Sequence, residues 1–272
     1  MSNILQRTIT GVVFVFLIVL TIHFGHIYFS ALFLIVNIIA MWEFYSLIEK
    51  KDVTANKYAG IAAGTFLFAS NALIALDLAP RAVLHINFIA IFLIFLFELY
   101  RKNKHPFSTI AFTFFGILYI AVPFSLMNYF PNPAQESNVY HLEILMGFFI
   151  LVWVNETFAY IVGISIGKHR LFERISPKKS WEGAIGGGIM CLVAAFVISY
   201  FYTQITHIDW LIIAGIVIVF GTYGDLFESM FKRSIDAKDS GVLLPGHGGV
   251  LDRFDGVFMA APFVYVYLLL IF

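Results

Sequence analysis

The sequence predicts an all-α fold: a polytopic integral membrane protein with about nine transmembrane helices. Three observations carry that prediction. The 272 residues are 60% hydrophobic and only 12% charged, whereas a soluble domain carries about 25% charged residues. The apolar residues fall into runs near the 20 residues that a helix needs to cross a bilayer, and they are continuous rather than alternating, which favours helices over barrel strands. The basic residues, finally, gather in every second loop.

The runs lie at 9–25, 28–48, 58–79, 82–100, 108–130, 142–166, 183–203, 209–226 and 254–272, the last two being short. Arg7 precedes the first, and no small-residue cleavage site follows it, so no cleavable signal peptide is expected. Lys50, Lys51 and Lys57 follow the second span, and Arg101, Lys102 and Lys104 the fourth. Lys168, Arg170, Arg174, Lys178 and Lys179 follow the sixth; Lys232, Arg233, Lys238 and Arg253 follow the eighth. Of the 17 Lys and Arg, only Arg81 falls on the other side. This bias predicts a cytoplasmic N-terminus and an external C-terminus. Glu43 and Glu98 sit near the cytoplasmic ends of their spans and read as interfacial. With no linker or low-complexity tract, residues 1–272 read as one membrane domain, 1–140 packing, facing lipid and offering dimer contacts, and 141–272 carrying the chemistry. The single cysteine, Cys191, lies in an apolar run, which excludes an internal disulfide and points to small-residue packing. Net charge is zero, and no nucleic-acid partner is expected.

The chemistry is expected in the stretch 225–256, DLFESMFKRSIDAKDSGVLLPGHGGVLDRFDG. Continued as a helix from the eighth span, it places Asp225, Ser229, Lys232 and Asp236 on one face, flanked by Glu228 and Arg233. Carboxylates and cations on one stripe suit a metal–phosphate site, although a solvated end with helix-spaced ion pairs has the same pattern. Lys238 and Asp239 lead into Gly241, Pro245, Gly246, His247, Gly248 and Gly249, a run unfit for regular helix whose backbone N–H groups can approach an anion closely. Asp252 and Asp255, three apart, share the first turn of the ninth span. One of them would serve as a cap, while two beside hydrocarbon point to a cation. Hard oxygen donors without thiolates favour magnesium over zinc, with a second cation allowed.

The loop after the sixth span reads GKHRLFERISPKKSW, followed by EGAIGGG. Its cations set topology, and its glycines allow close helix packing. Ser176, Pro177, Lys178 and Lys179 read as a compact turn offering two ammonium groups and a hydroxyl to phosphates. Glu156, in Asn155-Glu156-Thr157 well inside the sixth span, is expected to face the protein interior or a watered cavity.

Ser229, Lys232, Arg233, Lys238, Asp239, Gly241, Pro245, Gly246, His247, Gly248, Gly249, Asp252, Arg253 and Asp255 stand in the register of one signature. It is Ser-x-x-Lys-Arg, four residues, Lys-Asp-x-Gly, then Pro-Gly-His-Gly-Gly-x-x-Asp-Arg-x-Asp. With it the chain resembles the phosphatidate cytidylyltransferase (CDP-diacylglycerol synthase) family, over roughly residues 150 to 256; Ile175–Gly183 and Gly224–Ser229 agree as well. One departure is Glu156, where the family usually has Asp before Thr.

The resemblance implies a polytopic homodimer in a cell membrane, the inner membrane of a bacterium. It would transfer CMP from CTP to phosphatidate, drawn from the lipid bilayer, and release pyrophosphate. Asp225, Lys238, Asp239, Asp252 and Asp255 are then the expected catalytic residues, with magnesium on Asp225, Asp252 and Asp255. Ser176, Lys178, Lys179, Ser229, Lys232, Arg233, His247, Gly248, Gly249 and Arg253 are expected to bind the substrates. A CDP-alcohol phosphotransferase is disfavoured because its Asp-Gly-x-x-Ala-Arg opening is missing. A transporter is disfavoured because the charge is gathered in two loops, without an internal repeat.

Overall fold

The structure is a computed structural model that describes residues 3–49, 55–135, 140–237, 240–241 and 248–272, with side chains from Thr10 onward. Among the described residues the helices form nine rods: α1 (Asn3–Phe24), α2 (His26–Glu49), α3 (Lys57–Ala75), α4 (Arg81–Tyr100), α5 (Pro106–Met127), α6 (Leu142–Ile166), α7 (Trp181–Phe201), α8 (His207–Ser234) and α9 (Asp255–Ile271). Seven of these, α2 to α8, are long and apolar enough to cross a membrane; the apolar parts of α1 and α9, Thr10–Phe24 and Asp255–Ile271, are shorter. The chain is thus an all-α, multi-pass membrane protein. The eighth span proves long rather than short, because its helix runs on through the charged stretch to Ser234.

One feature is not helical. Arg170–Phe172 (β1) and Ser176–Ser180 (β2) pair antiparallel, Arg170 opposite Ser180 and Phe172 opposite Ser176. The compact turn expected at Ser176–Lys179 is therefore a strand. Pro177 is tolerated because a two-stranded ribbon has a free edge that needs no N–H from it.

The chain divides into two compact units. The first comprises Met1–Tyr129 and Ile235–Arg253. Its centre is α2, where Tyr45 donates to the Thr113 carbonyl at 2.6 Å and lies in the space left by Gly60 and Gly116. Phe33 stacks on Phe29 and meets Phe124 edge-on. Polar pairs link the helices where water is scarce: Ser30 to Asn128 at 2.7 Å, Asn87 to Ser70 at 3.0 Å, and Tyr129 to Asn71 at 2.9 Å.

The second unit comprises Phe130–Ser234 and Phe254–Phe272. Here α7 lies against α6 along Gly183 and Gly187, whose added β-carbons would stand 2.6 Å from the Ala159 and Asn155 carbonyl oxygens. The close-packing reading of these glycines holds. Cys191 is buried on the same face, its Sγ 3.5 Å from the Leu151 carbonyl. Ser180 caps α7 by accepting from the Gly183 N–H at 3.2 Å. Glu182, in the first turn, accepts from the N–H groups of Lys168 and His169 and from His169 Nδ1, which ties the end of α6 to the start of α7. In α8 a π-helical segment, Val217–Gly221, immediately precedes the turn that carries Asp225. Wider turns of this kind are frequent at functional sites.

Candidate active site

Chemistry-bearing side chains collect at one place in each unit. In the second unit the place is where α8, α9 and β2 meet. Gly224 makes this possible: a β-carbon there would collide with the Asp255 carbonyl oxygen and stand 3.1 Å from Gly256 Cα, so α8 and α9 touch backbone to backbone. One residue on, Asp225 pairs with the Lys179 ammonium, and Ser229 Oγ lies 3.4 Å from Asp225 Oδ1 one turn later. Asp255 is buried at the start of α9, and its Oδ1 accepts from the Gly256 N–H at 2.7 Å. The charges nearest to it are those of Asp225, Lys179 and Lys232. A buried carboxylate beside a second carboxylate is costly unless a cation compensates both. Lys179 does so in the protein alone.

Further along α8, Lys232 pairs with Glu228 at 3.1 Å. The spacing is that of a helix-surface ion pair, but Glu228 is 1% exposed, so this is a buried pair. Arg233 is exposed. On β2 successive side chains point to opposite faces. Lys179 therefore reaches Asp225, while Lys178 is exposed on the other side and Ser176 is half-buried. Glu156 does not turn into the core. It is exposed, with its Oε1 3.2 Å from the place where a Gly256 β-carbon would stand, and Asn155 is the residue of that pair that is buried.

In the first unit the place is the end of the signature stretch. Asp252 Oδ2 accepts from the Ser240 N–H at 3.0 Å and the Gly249 N–H at 2.9 Å. Gly248 has φ +82°, and a β-carbon there would stand 2.6 Å from the same oxygen; only glycine suits both conditions. Arg253 is exposed. Glu43, reaching in from α2, is not interfacial. It is 7% exposed and accepts from the Leu251 N–H at 2.9 Å. Its charge within an apolar helix was the one signal that could have marked it. Lys238, Asp239 and His247 lie outside the described residues.

Magnesium was expected on Asp225, Asp252 and Asp255. Asp225 and Asp255 converge in the second unit, and Asp252 has the partners just given in the first. Among the described residues, no group of three or more His, Cys, Asp or Glu is arranged to hold a metal ion. Two hard carboxylates still fit magnesium, which is commonly held by one or two carboxylates together with substrate phosphates and water.

Comparison with known proteins extends this picture. A sequence model described as the cytidylyltransferase family matches residues 5–271. The chain is 32% identical over 275 residues to the phosphatidate cytidylyltransferase of Bacillus subtilis (strain 168), covering 99% of each protein. It is 37% identical over 179 residues to the enzyme of that name from Staphylococcus haemolyticus, covering 65% of this chain and 66% of the relative. To that from Staphylococcus saprophyticus it is 36% identical over 194 residues, covering 71% and 70%.

Proposed function

The chain belongs to the cytidylyltransferase family, and from that premise we propose that it is a phosphatidate cytidylyltransferase, converting CTP and phosphatidate into CDP-diacylglycerol and pyrophosphate at the cytoplasmic face of a cell membrane. The observation that carries the site assignment is the meeting of Asp225, Lys179 and buried Asp255 where α8 touches α9.

A phosphate oxygen of phosphatidate attacks the α-phosphorus of CTP in line. The new P–O bond forms as the bond to the bridging oxygen breaks, and pyrophosphate leaves with that electron pair. No covalent enzyme intermediate is needed, since positioning and charge neutralisation carry such transfers. Asp225 and Asp255 would hold magnesium, which when bound neutralises charge on the departing phosphates. Lys179 and Lys232, whose charges act on Asp255, meet substrate phosphates. Ser229 Oγ, one turn from Asp225, donates to an oxygen of the same group. Asp252 holds the Ser240 and Gly249 N–H groups on one carboxylate oxygen. Lys238, Asp239, Arg233, His247 and Arg253 keep the roles that the signature implies, and a homodimer is the working assembly.

The test is pyrophosphate release from CTP by the purified protein in detergent micelles, with and without phosphatidate and magnesium. Release that requires both, with CDP-diacylglycerol formed in equal amount, is expected. Pyrophosphate release indifferent to phosphatidate, or no release from folded protein, would overturn the reading.

A further inference from the structure

We infer that Glu43, on α2 and far in sequence from the signature, is a positioning residue that holds two described parts of the signature stretch, Ser240–Gly241 and Gly249–Leu251, against each other. The inference rests on the cytidylyl-transfer reading above.

Four observations within the first unit carry it. The Glu43 carboxylate is 7% exposed in a largely apolar helix, a placement that is costly without a return. Its Oε2 accepts from the Leu251 N–H at 2.9 Å and lies 3.5 Å from Ser240 Oγ. Those two residues stand eleven positions apart in the signature stretch, and one carboxylate joins them. The two glycines beside them leave room for it: a β-carbon would stand 2.6 Å from Glu43 Oε1 at Gly241 and 2.5 Å from Glu43 Oε2 at Gly249. Asp252 then grips the same two parts, through the Ser240 and Gly249 N–H groups.

Glu43 and Asp252 together thus hold Ser240 beside Gly249 and Leu251. Asp252 stands in the signature itself, whereas Glu43 comes from a helix 197 residues away from Ser240 and 208 from Leu251. Among the described residues Glu43 has no ion-pair partner, and its Oε1 accepts no hydrogen bond. A carboxylate placed only for packing would be replaced without loss by its amide. Glu43 receives backbone and hydroxyl donors at Oε2, and an amide that turned its oxygen there would keep both bonds but as uncharged, weaker ones. Charged acceptors also make the stronger bonds.

The experiment compares Glu43→Gln, Glu43→Ala, Ser240→Ala and the double variants in micelles, reading kcat and KM for CTP, thermal stability, and hydrogen exchange of peptides from 240–252. Loss of hydrogen bonds to a charged group predicts a fall in kcat/KM of about tenfold to a hundredfold in the Ala variant, and weakening of the same bonds predicts a smaller fall in the Gln variant. Exchange should quicken in 240–252 alone, and Ser240→Ala should cost little further once Glu43 is changed. Should Glu43→Ala not fold, the Glu43→Gln and Ser240→Ala cycle gives the same reading. Glu43→Gln with wild-type kinetics and wild-type exchange, or effects that simply add, would overturn the inference. A wild-type protein inactive on CTP would instead defeat the enzymatic reading, and exchange at 240–252 would still report on the Glu43 contact.

Discussion

Gly224 of α8 and Asp255 of α9 are in direct backbone contact: a β-carbon on Gly224 would stand 3.1 Å from the Asp255 carbonyl carbon and closer still to its oxygen. The contact sets the spacing of the two carboxylates that follow from it. Asp225 is the next residue on α8, and Asp255 is the first residue of α9. Gly224→Ala has to push the helices apart, because the obstacle is backbone and cannot rotate away. Overpacking of this kind costs about 1–3 kcal/mol, which corresponds to a fall in melting temperature of roughly 5 °C. Activity should fall by more than stability explains. A thermal melt in detergent alongside a turnover assay checks both, and a Gly224→Ala protein with unchanged turnover would show that the helix spacing is not critical.

Asp225→Asn and Asp255→Asn should each lower kcat about a thousandfold, the order expected when a metal loses an essential ligand. The double variant should be no worse than either single one, because one missing ligand already disables the site. Chelation should silence the wild type, and added magnesium should restore it. Single variants that turned over at near wild-type, magnesium-dependent rates would move the cation away from this pair, with Asp252 and Asp239 as the next positions to test.

Legibility of the sequence followed the range of the interaction. The helices α2 to α9 were written in apolar runs, which report burial in lipid residue by residue. The meeting of Asp225 with Asp255 was also legible, since both stand at the polar ends of neighbouring spans. The β1–β2 ribbon was not: strands of three and five residues have too little period to read, and Ser-Pro-Lys-Lys looks like a turn until its partner strand is known. Nor was the role of Glu43, whose donors lie about 200 residues along the chain. A single charge in an apolar helix announces that it has a partner without naming it. Depth in the span argued that Glu156 faces the interior or a watered cavity; its side chain is exposed, with Oε1 lying against Gly256 at the start of α9.

The charge asymmetry of the loops predicts the orientation, and cysteine labelling checks it. In a Cys191→Ala background, cysteine at His207 should react with a membrane-impermeant maleimide added outside intact cells. Cysteine at Lys178 should react only after lysis. External labelling at 178 would invert the protein, and the site would then face away from cytosolic CTP.

Lys178 and Lys179 are neighbours of equal charge, and the strand should separate their effects. Lys179 pairs with Asp225, and its side chain is a quarter exposed, whereas Lys178 projects from the opposite face into solvent. In the free protein the Lys179 ammonium neutralises a carboxylate; with substrates bound, the same ammonium is placed to meet a phosphate. Lys179→Ala should therefore lower kcat/KM by about tenfold to a hundredfold, as expected for a charge-assisted contact. Lys179→Arg should recover part of that loss. Lys178→Ala should stay within about threefold of wild type, since an exposed charge adds little. Steady-state kinetics for CTP and phosphatidate in mixed micelles would measure all three. Equal losses at 178 and 179 would mean that both lysines act through the net charge of the ribbon, and the specific pairing of Lys179 with Asp225 would then have no catalytic consequence.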